Sequence, residues 1–233
     1  MSHTALREKM ILAGKVLVNE GQDDFTRGHI SVRLPDNSGL FYMKAHSTGL
    51  DEITQENILT IDLDGKVVAG TARRHSEVFI HSEIFRARAD VACVIHTHPP
   101  YATALSASGR PIRAYSQPGA LFHDSLGTYT DSMKLIRDPD MGAGVARALA
   151  GHRAVLLKNH GIVVTGATME EAVIGTVMLE NAAMIQMIAE AAGTPAPELP
   201  KDDILQLQRE ISQPDQFAVN FDYLVRRVKR LGM

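Results

Sequence analysis

Apolar positions along this chain follow two rhythms. Over Thr4–Glu20, Leu6, Met10, Leu17 and Val18 recur at roughly helical spacing, which predicts an amphipathic helix stopped by Gly21. Ile30–Leu34 alternates like a half-buried strand after the turn Thr26-Arg27-Gly28-His29, and Leu40–Lys44 reads as a second strand. Ile58–Asp62 and Lys66–Ala69 flank Leu63-Asp64-Gly65, a hairpin with an Asp-Gly turn. Glu77–Arg88 reads as helix, and Val91–His96 as a short apolar strand running into His96-Thr97-His98-Pro99-Pro100. A helix over Tyr101–Ala107 follows, since prolines are tolerated at a helix start. Met141–Ala150 is the next helix, and Ala154–Leu157 and Ile162–Thr165 are strands around the turn Lys158-Asn159-His160-Gly161. Thr168 caps a helix that has Glu171 three residues on and runs to about Ala192. Pro195, Pro197 and Pro200 make an irregular link to a helical tail over Asp202–Arg230. Without an internal repeat or a domain boundary, residues 1–233 are expected to form one domain with a helical arm from about residue 200.

Composition narrows the function classes. The chain has 233 residues, 45% hydrophobic and 22% charged, values of a globular protein with a full core. A net charge of -3 leaves no basic excess to attract nucleic acid. The single cysteine, Cys93, rules out an intramolecular disulfide and fits a reducing cytoplasm. The stretch Met-Ser-His-Thr-Ala-Leu-Arg-Glu-Lys-Met carries charge where a signal peptide needs an apolar core. No uninterrupted run reaches the ~18 apolar residues of a membrane span. The expectation is a cytoplasmic protein that works on a small molecule, without membrane or nucleic-acid partners.

The placement of the histidines carries the chemistry. His96 and His98 stand two apart at the end of an apolar strand, where side chains share a face and two imidazoles could share a metal. Pro99-Pro100 stiffens the backbone behind them. His160, next to Gly161 in another strand-to-strand turn, would complete three ligands with an open position, the arrangement of a catalytic metal and not of a structural one. The plainer reading makes His160 a turn residue at the surface. Glu77 is either a charge placed at a helix start, favoured by the helix dipole, or a fourth ligand that doubles as general base. Arg73 and Arg74 read as an anion site with the helix amides or as a solvated basic pair. His81, one turn past Glu77, reads as a helix-surface or subunit-contact residue.

Gly28-His29-Ile30-Ser31-Val32-Arg33, His46-Ser47-Thr48-Gly49, Ser76-Glu77, His96-Thr97-His98-Pro99 and Lys158-Asn159-His160-Gly161 occur in an order that resembles the class II aldolase/adducin family, from about residue 4 to about residue 193. That family includes sugar-phosphate aldolases, pentulose-phosphate 4-epimerases, decarboxylases and adducin-like proteins without catalysis. The resemblance implies a three-layer α/β/α fold around a central, mostly antiparallel sheet. It also implies a cyclic homotetramer with active sites between subunits. It makes His96, His98 and His160 the metal ligands, with Glu77 ligating the empty metal and moving protons once substrate is bound. One divalent ion per subunit is expected, manganese or zinc, with cobalt a further option. Tail residues near Tyr223 would reach a neighbour's site, although the periodicity around Tyr223 reads first as helix packing.

The departures from the family pattern set the substrate expectation. Sugar-phosphate members carry Gly-Asn-Ile-Ser where this chain has Gly28-His29-Ile30-Ser31, and a serine pair where it has His75-Ser76. The asparagine helps hold the phosphate. Thr48-Gly49 of the phosphate loop is retained. The expected substrate pocket is therefore His29, Ser47, Thr48, Gly49, Arg74 and Ser76, with His75 and Glu77 as catalytic groups. Imidazoles able to carry charge near neutral pH, beside a guanidinium, suit planar carboxylates. This favours a carboxy-lyase acting on a hydroxylated aromatic or heteroaromatic dicarboxylate, such as a hydroxypyridine dicarboxylate or a dihydroxyphthalate, through a metal-stabilised enolate. An aldolase or 4-epimerase working on a sugar phosphate is the alternative, and a non-catalytic adducin-like protein is the second alternative.

Overall fold

The computed structural model describes residues 2–193 and 197–233, so Pro195 of the expected proline link lies outside the described residues. Helix α1 (His3–Asn19) is capped by the Ser2 side chain and ends at Gly21, whose φ of 74° only glycine adopts easily. Four strands follow, β1 (His29–Arg33), β2 (Leu40–Lys44), β3 (Ile58–Asp62) and β4 (Val67–Ala69). The β3–β4 hairpin turns at Asp64-Gly65, with the Asp62 carboxylate accepting from the Asp64 and Lys66 amides. Helix α2 (Val78–Ala87) leads to β5 (Cys93–Thr97), and α3 (Pro100–Ser108) begins two residues beyond His98. Then come α4 (Gln117–Leu121), β6 (Leu126–Tyr129), α5 (Pro139–Leu149), β7 (Ala154–Leu157), β8 (Gly161–Gly166), α6 (Met169–Ala191), α7 (Lys201–Ile211) and α8 (Pro214–Arg230).

The strands form one eight-stranded sheet in the order β4-β3-β2-β1-β5-β8-β7-β6, antiparallel everywhere except between β6 and β7. Side-chain alternation sorts each strand between two cores. Ile30, Val32, Cys93, Ile95, Ile162 and Val164 pack with α1, α3, α6 and α8, while Val94, Val163, Val155 and Phe41 pack with α2 and α5. The result is the expected three-layer α/β/α arrangement with a mostly antiparallel sheet. Helix α6 is long and apolar enough to resemble a membrane span, but it lies within the first core, with Ala172, Val173, Leu179 and Ala183 buried there.

Three elements differ from the sequence reading. Strand β6 escapes it because Leu126-Gly127-Thr128-Tyr129 is short and contains a glycine. That glycine is required, since a Cβ would sit 2.0 Å from the Ala148 carbonyl oxygen of α5. Helix α4 is too short to show a period. The tail is two helices and not one, because Pro214 cannot continue α7 and instead starts α8. Helix α8 packs Phe217, Phe221, Leu224 and Val228 back onto the main core. Tyr223 lies on its other face, half exposed, so it is not the packing residue its periodicity suggested.

Candidate metal centre

The two central strands carry the site. β1 and β5 pair so that His29 faces His96 directly, and both side chains point to the sheet face covered by α2. β8 runs alongside β5, and the turn that precedes it brings in His160. Asn159 takes the left-handed backbone conformation in that turn, with φ 57°. Gly161 is needed for close approach: a Cβ there would meet the Thr97 carbonyl oxygen at 2.5 Å and the His98 ring at 2.7 Å.

Ligand atoms of His96, His98 and His160 lie within 4.8 Å of one another. The buried His96 ring is already oriented, with Nδ1 donating to the Ile162 carbonyl at 2.8 Å and Nε2 left without a partner. Both ring nitrogens of His160 also lack hydrogen-bond partners. Asp24 Oδ2 stands 3.1 Å from His98 Nδ1. Buried imidazole nitrogens without partners are costly, and three converging on one point are what a metal ion satisfies. The backbone bond behind His96 is the usual outer support of a metal-binding histidine. The donor set therefore fits a divalent ion.

Glu77 completes the cluster. It is the N-cap of α2 but makes no cap bond, so the helix-start reading does not account for its carboxylate. That carboxylate turns inward, 3.6 Å from His160 Nε2, 3.9 Å from His96 Nε2 and 3.8 Å from His29 Nε2, with Oε1 accepting from the Ile136 amide at 2.9 Å. Burial raises its pKa, opposed by the Ile136 hydrogen bond and the Arg137 charge.

The imidazoles do not carry charge near neutral pH, contrary to the sequence expectation for His29 and His75. Burial, then neighbouring imidazoles, hold His29 well below its ordinary range, and burial with the Lys44 charge pulls His75 down to about 4. Burial lowers His160 to about 4 and His81 to about 3. His81 is fully buried, and not at the helix surface: its Nε2 is 2.6 Å from His29 Nδ1 and its Nδ1 is 2.5 Å from Ser31 Oγ.

A cavity of about 350 Å³ opens over the cluster, lined by His75, Ser76, Glu77, His98 and His160 together with Asp24, Arg27, His46, Met133, Leu135, Arg137 and Asn159. Arg74, Ser47, Thr48, Gly49 and the fully buried His29, expected in the substrate pocket, are not on its wall. Arg74 lies over the Phe79 ring and donates to the His75 carbonyl. The Gly49 amide is bound by Glu52 Oε2 at 2.7 Å, and Ser47 Oγ is 2.6 Å from His46 Nδ1. The Thr48 carbonyl accepts from Lys44. The cations at the opening are Arg27 and Arg137. The sequence reading quoted Arg27 only as part of a turn motif, and Arg137 lies in a stretch without pattern.

Comparison with known proteins fits this geometry. A 3,4-dihydroxyphthalate decarboxylase from Arthrobacter keyseri is 30% identical over 218 residues, covering 89% of this chain and 88% of that protein. A 5-methylthioribulose-1-phosphate/5-deoxyribulose-1-phosphate aldolase from Rhodospirillum rubrum is 31% identical over 205 residues, covering 85% and 89%. The solved L-fuculose 1-phosphate aldolase from Glaciozyma antarctica PI12 superposes with a TM-score of 0.88 at 25% identity, covering 97% of this chain and 89% of that one. The Class II Aldolase and Adducin N-terminal domain matches residues 8–187, and so the sheet, the converging histidines and the inward glutamate belong to a member of the class II aldolase and adducin family.

Proposed function

We propose that this protein is a metal-dependent carbon–carbon lyase, and within that class a decarboxylase of a hydroxylated aromatic or heteroaromatic dicarboxylate. The observation that carries the reading is the redistribution of anion-binding groups. The Gly49 amide and the Ser47 hydroxyl are engaged within the chain, while two guanidiniums line the cavity, Arg137 and Arg27, the latter paired with Asp24 at 2.8 Å. Planar guanidinium forks suit carboxylates. Similarity to a dihydroxyphthalate decarboxylase supports the same direction.

His96, His98 and His160 would hold the ion, with Glu77 as a fourth ligand in the absence of substrate. Zinc and manganese both suit three imidazoles with an oxygen-chelating substrate. When bound, the ion supplies a Lewis acid to the oxygen on which charge develops. The chain's own groups do the rest. Arg27 and Arg137 orient one carboxylate, and Ser76 and His75 line the wall beside it. Glu77, protonated once substrate has taken its place as ligand, gives its proton to the ring carbon that bears the second carboxylate, and the adjacent ring hydroxyl, already ionised, becomes a carbonyl. That carboxylate then stands β to a carbonyl. The carbon–carbon electron pair returns to the ring as carbon dioxide leaves, and Glu77 recovers a proton from water.

A second reading, aldolase or 4-epimerase on a sugar phosphate, is favoured by comparable identity to a ribulose-phosphate aldolase and by the retained Thr48-Gly49. Carbon dioxide release from a panel of hydroxy-dicarboxylates, run beside aldol cleavage of ketose 1-phosphates, separates the two. The decarboxylase reading expects release from at least one dicarboxylate and no appreciable cleavage of fuculose or rhamnulose phosphate. Cleavage of a phosphate with no carbon dioxide from any dicarboxylate promotes the aldolase.

A homotetramer is part of the proposal, supported by Val219 and Tyr223, which lie exposed four residues apart on α8. Light scattering that finds a stable monomer at micromolar concentration overturns it.

A further inference from the structure

The side chains behind Glu77 form a line with no established role: Ser31 on β1, His81 on α2, then His29 on β1. All three are fully buried. Ser31 Oγ is 2.5 Å from His81 Nδ1, and His81 Nε2 is 2.6 Å from His29 Nδ1. His29 Nε2 has no hydrogen-bond partner and stands 3.8 Å from Glu77 Oε2, too far for a bond.

A chain of neutral imidazoles can run in only two directions. In one, Ser31 donates to His81 Nδ1, His81 Nε2–H donates to His29 Nδ1, and His29 is left with an Nε2–H pointing at the site. In the other, His29 Nδ1–H donates to His81 Nε2, and His81 Nδ1–H donates to Ser31. That second direction strands the Ser31 hydroxyl proton, because among the described residues its oxygen has no other partner. It also leaves the His29 Nε2 lone pair 3.8 Å from the Glu77 carboxylate without a hydrogen-bond donor. The first direction leaves one buried group without a partner, the His29 Nε2–H, whereas the second leaves two, the Ser31 hydroxyl proton and the His29 Nε2 lone pair.

We propose that Ser31 and His81 are positioning residues that hold His29 as the Nε2–H tautomer, so that a fixed, uncharged donor faces the Glu77 carboxylate from behind the cavity. This rests on the lyase reading for the proton-transfer role of Glu77, but not for the direction of the chain. His81 reads from sequence as a helix-surface or subunit-contact residue, because helical spacing alone cannot say which face of α2 meets β1.

Neutron diffraction from a deuterium-exchanged crystal of the metal-loaded protein reads the tautomers without any turnover. Deuterium on Nε2 of both His29 and His81, with none on His29 Nδ1, is the expected result. Deuterium on His29 Nδ1 overturns the proposal whatever the enzyme acts on. Kinetics supply the second arm, on whichever carbon–carbon cleavage the substrate panel finds. Ser31→Thr keeps the hydroxyl, while Ser31→Val has the same size without it. The kcat of the valine variant should fall about 10-fold or more below that of the threonine variant, at equal metal content, which is the scale of losing an outer support. Equal kcat in the two would show that Ser31 only fills space and would overturn its positioning role. A protein that cleaves nothing in the panel counts against the lyase reading and leaves the neutron result to decide the tautomer.

Discussion

Lys44 offers a sharp physical test away from the metal. Its side chain is fully buried on β2, and its ammonium donates to the carbonyls of Thr26, Ala45 and Thr48 and so ties the turn before His29 to the loop beneath His75. Burial lowers its pKa from 10.5 to about 8, only partly offset by Glu52. Below about pH 8 the lysine is charged in both folded and unfolded chains, and the fold bears the full cost of burying an ammonium. Between about 8 and 10.5 the unfolded chain holds a proton that the native chain has released, so stability rises with pH across that window. The full difference is worth about 3 kcal/mol, of which roughly 2 kcal/mol develops between about pH 7 and about pH 9.5. Urea unfolding at those two pH values, on wild type and on Lys44→Met, isolates the effect from other titrating groups. Wild type should gain roughly 2 kcal/mol more than the variant on going to the higher pH. Parallel pH dependence in the two proteins would refute the assignment of a depressed pKa to Lys44.

Other predictions probe the centre and its supports. Glu77→Gln retains an oxygen to accept from the Ile136 amide, so fold and metal content should survive while kcat falls ~10²-fold or more; near wild-type turnover would reduce Glu77 to a structural acceptor. Gly161→Ala places a Cβ against the Thr97 carbonyl and the His98 ring, so metal affinity should drop ~10-fold or more in a competition titration with a chelator. Unchanged affinity would mean that the turn yields at no cost to His98. Glu180 on α6 accepts from the Tyr101 and Ala102 amides and caps α3 just behind the ligand strand. Glu180→Ala should therefore cost about 2 kcal/mol in denaturant unfolding, and a loss below the error of the method would mean that water replaces the cap.

The convergence of His96, His98 and His160 is legible in the sequence because strand periodicity, a strand end and a glycine turn are all local features. His96 and His98 share a face by spacing alone, and His160 follows from its turn. The cavity wall is not legible in the same way. Arg74 and Arg137 look alike as letters. Only the fold shows that Arg74 lies over Phe79 while Arg137, in an irregular stretch between β6 and α5, returns to the cavity. Charge states also depend on burial, which no spacing reports: His29 and His75 read as possible cations and are held neutral by desolvation. His81 shows the same limit, since its helical face meets β1 only after the sheet has paired. In the tail, Pro214 is visible as a letter but not weighed against a strong helical period, which hides the break between α7 and α8.

The claim on which the account stands is a single catalytic ion held by His96, His98 and His160. Metal titration of chelator-stripped protein, followed by both bound metal and carbon–carbon cleavage, tests it most directly. The account predicts that activity returns in proportion to bound zinc or manganese, that both saturate at one ion per subunit, and that His96→Ala neither binds the ion tightly nor turns over. Full turnover by the stripped protein, or a His96→Ala variant with wild-type metal content and rate, would contradict it.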